Sequence, residues 1–338
     1  MTPEPISMAQ ALNAALRDAL KEDERVLVFG EDVGTLGGVF RVTDGLTRDF
    51  GEERCFDTPL AEAGIVGHAV GLAMGGFRPV VEMQFDAFAY PAFEQITSHV
   101  AKLRNRTRGR VELPMVIRIP YAGGIGGVEH HCDSSEVYYT HTPGLTVVTP
   151  GTAQDAYDLL RDAIESPDPV VFLEPKSRYW TREPVTFHRA GTPFDRAAVR
   201  RPGTDVTLIA YGPMVATAMA AAEAAAEEGR EVEVVDLRTL SPVDDATIAE
   251  SVRRTGRAVV VHEAAGFCGY GAEIAARVSE QCFHYLHAPV LRVTGFDIPY
   301  PPPKLEAHHL PAPARILDAI DRLQWDDQPV VAGSVGGA

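Results

Sequence analysis

The stretch Asp57-Thr58-Pro59-Leu60-Ala61-Glu62-Ala63-Gly64, with the run from it to Gly75, decides how the chain reads. Thr58 reads as an N-cap and Pro59 as the first helical residue. Glu62 then falls in the first turns, and Gly67, Gly71 and Gly75 follow at four-residue spacing. Glycines so spaced make one smooth stripe that another helix can approach closely. In a membrane such a stripe joins helices, but His68, Arg78 and the shortness of the apolar runs argue against a span. The spacing therefore predicts a buried, close-packed helix in a soluble protein. A carboxylate at its mouth either favours the helix dipole or is a catalytic group, and spacing alone favours the first.

Outward from this helix, short apolar strands alternate with helical periods. Ser7 caps a helix with Met8, Leu12, Ala15, Leu16 and Ala19 on one face. Arg25 to Gly30 is a strand apolar on both faces, and it ends in Glu31-Asp32. Pro79 to Met83 is a second such strand, ending in Gln84-Phe85-Asp86, and a long helix is expected from Phe88 to Arg106. Met115 to Ile119, Thr146 to Val148 and Val170 to Leu173 read as further strands, and Ala153 to Ile164 as a helix. The sequence of elements predicts a parallel α/β layer, whose ligands gather at the carboxyl ends of the strands. Residues 181–203, rich in Pro, Arg and Thr, read as a linker between domains over 1–180 and 204–328. The second domain repeats the α/β alternation, and the tail 329–338 is expected to be disordered.

A net charge of -16 argues against binding to nucleic acid or anionic lipid, because little here would neutralise phosphates. Met1 to Gln10 has neither a basic nor an apolar signal region, and Cys55, Cys132, Cys268 and Cys282 form no Cys-x-x-Cys pair. Both features fit reduced thiols in a cytoplasmic protein.

Some local motifs stay open on spacing. Gly269-x-Gly271 opens a helix after a strand, as a dinucleotide fingerprint does, but the third glycine is missing. His130-His131-Cys132-Asp133 follows a Gly-rich loop. It reads as metal ligands, as a Cys–His pair, or as a loop in which His131 alone binds substrate or moves a proton. Glu62 and Gln84 could converge in one crevice.

Taken together, the motifs resemble a known family. Phe56 to Ile65, Glu82-Met83-Gln84-Phe85, Pro91 to Ile96, His131, Thr142-Pro143-Gly144-Leu145 and Leu173-Glu174-Pro175-Lys176 occur in order. They continue through Asp236 to Pro242, His262-Glu263-Ala264, Gly269 to Ile274 and Arg292-Val293-Thr294-Gly295. The series, spanning about residues 5 to 325, resembles the beta subunit of the thiamine-diphosphate-dependent 2-oxoacid dehydrogenases.

The resemblance implies two three-layer α/β/α domains, a transketolase-like pyrimidine-binding domain and a transketolase C-terminal-like domain. It reverses the reading of Glu62, which matches the glutamate that contacts the N1′ nitrogen of the cofactor's aminopyrimidine. The cofactor then serves as electron sink for decarboxylation. Leu60, Gln84 and Phe88 match the pyrimidine pocket, with Phe88 standing where many branched-chain relatives carry Tyr. His131 matches a histidine near the reacting carbon that helps pass the acyl group to lipoamide. The family holds Mg²⁺ and the diphosphate with Gly-Asp-Gly and a later Asn. This chain has no Gly-Asp-Gly, and its only asparagines, Asn13 and Asn105, are not suitably placed. It is therefore expected to work only with an alpha subunit that holds the Mg²⁺, in an α₂β₂ heterotetramer serving a lipoylated acyltransferase core. The resemblance also suggests a structural K⁺ on main-chain oxygens near Met115, Val116, Ala163, Ser166 and Asp168. Phe172 to Lys176 and the Gln84-Phe85 region look closer to the branched-chain enzymes than to the pyruvate enzymes. A non-catalytic docking subunit is the competing reading.

Overall fold

The computed structural model describes residues 4–187 and 191–323. The tail expected to be disordered, 329–338, lies outside them.

The first sheet has seven strands, in the order Thr239–Ser241, Thr146–Val148, Val170–Pro175, Val116–Tyr121, Arg78–Glu82, Val26–Gly30 and Cys55–Asp57. All pair in parallel except the first, which joins the edge antiparallel. That edge strand comes from the second half of the chain, so the two halves share a sheet. The strands Val26–Gly30, Val116–Tyr121 and Val170–Pro175 are buried at every residue. This is why they read as unbroken apolar runs rather than alternating ones. The buried strands also carry charge: Arg118 sits 2.6 Å from both Glu82 and Glu174 on the flanking strands.

The second sheet orders its strands Leu291–Gly295, Ala258–Ala265, Val206–Ala210, Val232–Asp236 and Ala198–Arg201, the last again antiparallel. Two strands therefore lie inside the expected linker. Ala198–Arg201 belongs to the second sheet, and Arg182–Pro184 pairs with Pro5–Ser7 at the chain's start.

The glycine helix begins later than its sequence suggests. It runs Glu62–Met74 with Ala61 at the cap position and no side-chain cap. Thr58 does not cap it, because the helix starts four residues on; its amide extends the sheet by donating to the Gly30 carbonyl at 2.9 Å. A residue before proline is in any case disfavoured in the helical region. Nor is the glycine stripe buried within this chain. Gly64, Gly71 and Gly75 are exposed, and a Cβ on Gly71 would meet nothing within 4 Å.

The helix expected over Phe88 to Arg106 is broken. A 3₁₀ turn, Ala87–Ala92, holds Pro91, and Phe93–Gln95 is one α-turn. Ile96–Val100 is a π-turn, and Leu103–Arg106 closes the segment. Pro91 has no amide to give, and the Thr97 hydroxyl bonds the Phe93 carbonyl at 2.9 Å, which together disturb the regular ladder.

Candidate active site

The carboxyl ends of the first sheet's parallel strands converge on one crevice. Val26–Gly30 delivers Glu31 and Asp32, Cys55–Asp57 leads to Leu60 and Glu62, and Arg78–Glu82 leads to Gln84, Phe85, Asp86 and Phe88. Val116–Tyr121 opens the loop that returns through His131, and Val170–Pro175 delivers Lys176.

Contacts run continuously across this end. Glu31 and Glu62 are both buried, and burial first, then the Glu62 charge, pushes the Glu31 carboxyl above its usual range. Glu31 Oε1 is buried without a hydrogen-bond partner. Beside it, Asp32 accepts from Gln84 Nε2 at 2.8 Å. Next to Gln84, the Phe85 ring meets His131 edge-on, with 4.4 Å between centroids. Phe88 lies 5.5 Å from His131, also edge-on. Sequence reasoning named Glu62, Gln84, Phe88 and His131 separately, and the fold gathers their neighbourhoods into this row. Leu60 stands apart, 79% exposed at the mouth with no apolar cover from its own chain.

Under the row lies a pair that sequence reasoning did not single out. Lys176 Nζ is 2.9 Å from Asp86 Oδ2, and both side chains are fully buried. Burial lifts the Asp86 carboxyl to about 7 despite the neighbouring ammonium, and burial lowers Lys176. Lys176 also sits over the Phe85 ring at 5.8 Å. The signal was a polar residue ending each of two buried strands, but nothing in the spacing links positions ninety residues apart. His131 is held below the usual histidine range, first by burial and then by the positive charges of His130 and Lys176. It is therefore mostly neutral near pH 7, able to accept a proton.

The other open motifs resolve differently. No group of three or more His, Cys, Asp or Glu side chains among the described residues is placed to hold a metal ion. Cys132 is buried and its thiol is pushed up to about 11, which suits packing rather than nucleophilic attack. Gly269 and Gly271 make room for the ring of buried His262. A Cβ on Gly271 would fall 2.5 Å from His262 Cδ2, and one on Gly269 2.7 Å from Cε1. That packing accounts for the two glycines without a dinucleotide.

The residues named for potassium lie at the opposite end of the sheet. The Met115 carbonyl accepts from Val170, and the Ala163 carbonyl from the Ser166 amide. The Ser166 carbonyl accepts from Arg78 at 3.2 Å, and the Asp168 carbonyl from Ser166 Oγ at 2.9 Å. Val116 begins the neighbouring strand.

Two family descriptions match the chain: "Transketolase, pyrimidine binding domain" over residues 4–181 and "Transketolase, C-terminal domain" over 195–316. A "3-methyl-2-oxobutanoate dehydrogenase subunit beta" from Mycobacterium tuberculosis is 57% identical over 319 residues, 94% of this chain and 92% of the relative. The chain belongs to the transketolase-like beta subunits of the 2-oxoacid dehydrogenases. A "Pyruvate dehydrogenase E1 component subunit beta" from Leifsonia xyli is 55% identical over 324 residues, 95% of this chain and 96% of the relative. A solved "Split gene transketolase, inactive beta4 tetramer" shares the fold with a TM-score of 0.76 at 25% identity, covering 94% of this chain and 98% of that one. The family depends on thiamine diphosphate. No helix among the described residues is long and apolar enough to cross a membrane.

The crevice fits the aminopyrimidine end of that cofactor. An orphaned buried carboxyl oxygen on Glu31, the neighbouring Glu62 and the uncovered Leu60 provide polar and apolar walls that nothing in the chain itself fills.

Proposed function

We propose that this chain is the beta half of a branched-chain 2-oxoacid dehydrogenase. With an alpha subunit it decarboxylates branched 2-oxoacids and passes the acyl group to the lipoyl domain of an acyltransferase core. The observation that carries the reading is the row from Glu62 through Glu31, Asp32 and Gln84 to Phe85 and His131, gathered at the carboxyl ends of the strands.

Bound thiamine diphosphate supplies the electron sink for decarboxylation. Glu62, with Glu31 beside it, would contact the ring nitrogen of the aminopyrimidine. Leu60 and Phe88 would exclude water from that ring's flank, and Gln84 is held in place by Asp32. Neutral His131 accepts or donates the proton that accompanies acyl transfer.

The alpha subunit is needed because this chain carries no Gly-Asp-Gly motif to bind Mg²⁺ and diphosphate. The exposed glycine stripe and Leu60 are surfaces that such a partner would cover in an α₂β₂ assembly. A K⁺ ion on the Ala163 to Asp168 turn would brace the far end of the sheet. The acidic, reduced-thiol composition suits a cytoplasmic enzyme.

The test is co-purification with an alpha-type chain, followed by cofactor titration and decarboxylation assays on 3-methyl-2-oxobutanoate and pyruvate. Preference for the branched acid is expected. Preference for pyruvate, the substrate in the Leifsonia relative's name, would overturn the substrate assignment alone. Unchanged turnover in Glu62→Gln would leave only the docking role.

A further inference from the structure

The segment that carries His131 is closed at its base, where the Ala122 amide donates to the Asp133 carbonyl at 2.8 Å. Between these ends it forms a compact surface loop. Its return leg holds His131, whose amide bonds the Val128 carbonyl at 2.9 Å. Its outward leg, Gly123 to Gly127, packs on Ser177 and Cys132 of its own domain, but gives the amides of Gly123, Gly124 and Gly126 to the second one.

Gly123 donates its amide to the Glu263 carboxylate. Gly124 and Gly126 donate theirs to Glu306 Oε1 at 3.0 and 3.2 Å, and Gly126 also reaches Oε2 at 3.3 Å. The Tyr300 hydroxyl donates to the same Oε1 at 2.8 Å. Gly124 and Gly126 have φ of +81° and +66°, which aims these amides at one point. Amides so arranged make an anion-binding concavity, and here the anion is a carboxylate of the same chain. Substitution is barred on this leg: a Cβ on Gly123 would lie 1.8 Å from the Tyr300 oxygen. Gly127, at the end of the leg, packs against His131, a Cβ there falling 3.3 Å from His131 Cβ. The leg therefore ends beside Cys132 and the base of the His131 side chain.

We propose that Glu306, braced by Tyr300, is a positioning residue that sets His131 for acyl transfer by clamping the Gly123–Gly127 leg from the second domain. The inference rests on the role given to His131 above. Neither Glu306 nor Tyr300 belongs to a sheet; the leg reaches one through a different bond, the Gly123 amide to Glu263 of Ala258–Ala265. Loss of the clamp therefore bears on the step that uses His131 more than on decarboxylation, and more than on folding.

The experiment uses the assembled complex with the alpha-type chain, carrying E306A, E306Q or H131A. It reads decarboxylation with a dye acceptor, acylation of an isolated lipoyl domain, and hydrogen exchange over residues 122–133. E306A is expected to lower the ratio of acylation to decarboxylation turnover about tenfold, since small misplacements of a reacting group cost rate steeply, and to speed exchange at Gly124 and Gly126. E306Q keeps an oxygen where Oε1 accepts, and should hold the ratio within about twofold of the parent, as a neutral acceptor still satisfies the amides. An unchanged ratio in E306A overturns the proposal, as does an equal loss of both half-reactions, or E306Q failing as badly as E306A. If H131A leaves the ratio unchanged, the reading of His131 itself has failed. If only H131A lowers it, the clamp alone is wrong.

Discussion

His131 meets the ring of Phe85 edge-on at 4.4 Å, and the ring of His130 lies 4.3 Å away. The first contact removes water and the second adds a positive charge when His130 is protonated. Both disfavour the imidazolium, so His131 titrates below the usual histidine range.

A pH dependence follows with a definite sign. The acid limb of lipoyl acylation should fall below pH about 6.5, the unperturbed histidine value. Removing a neighbouring cation favours protonation, so His130→Gln should move that limb to higher pH. Acylation rates between pH 5 and 8 check this, and a shift to lower pH would contradict it.

Gly271 and His262 offer a test of packing against nucleotide binding. Gly271→Ala forces a methyl against the His262 ring and should cost about 1 to 3 kcal/mol, the usual range for overpacking. In a His262→Ala background the cost should shrink, because the obstacle is gone. Urea unfolding of the four variants gives the coupling. The same chain should show no tight NAD binding by calorimetry, and such binding would restore the fingerprint reading.

His262 and Glu263 are adjacent yet should give opposite pH profiles. His262 is buried with its pKa lowered to about 4, so between about 6.5 and 4 only the unfolded chain takes up its proton. Its stabilisation is lost as pH falls through that window. Glu263 is pushed up to about 7 by burial, so above its unfolded value only the unfolded chain is ionised there. Its contribution is lost as pH rises toward 7. Each effect reaches at most about 3 kcal/mol, and they oppose each other where the windows overlap. Relative to the parent, His262→Phe should therefore gain stability toward acid, and Glu263→Gln should gain it toward neutral pH. Urea midpoints across pH 4 to 7.5 check both signs.

Arg118 carries a further prediction. It is fully buried between Glu82 and Glu174, and Tyr179 also donates to Glu174 at 2.5 Å. Arg118→Met would leave two carboxylates buried together without a cation, which should cost about 3 to 5 kcal/mol. The triple change to Met, Gln and Gln should recover most of that loss in thermal unfolding. An R118M protein as stable as the parent would show that water reaches the site.

What the sequence made legible, and what it hid, follow from the reach of its signals. Buried parallel strands announce themselves locally, so Val26–Gly30 and Val116–Tyr121 could be read within one or two residues. Glu62, Gln84 and His131 were legible as strand-end and helix-mouth residues, and the resemblance supplied their roles. The start of the glycine helix was misread because Thr58 is claimed by a sheet partner, Gly30, that no capping pattern reveals. The exposure of Gly71 was misread for a related reason, since spacing shows a smooth face but not what covers it. Lys176 with Asp86, and Glu306 with Gly124, are pairings across 90 and 182 positions. Only the fold brings such groups together.

The central claim is that this chain holds half of a cofactor site, with Glu62 its acid. Its most direct test is calorimetric titration of thiamine diphosphate and Mg²⁺ into four samples: the chain alone, an alpha-type chain alone, their mixture, and the mixture carrying Glu62→Gln. Each is followed by an assay of carbon dioxide release from 3-methyl-2-oxobutanoate. The account predicts binding and turnover in the parent mixture, neither in the beta chain alone, and at least a hundredfold loss of turnover in the Glu62→Gln mixture, the order expected for removing an acid–base group. Tight cofactor binding and turnover by the beta chain alone would contradict it.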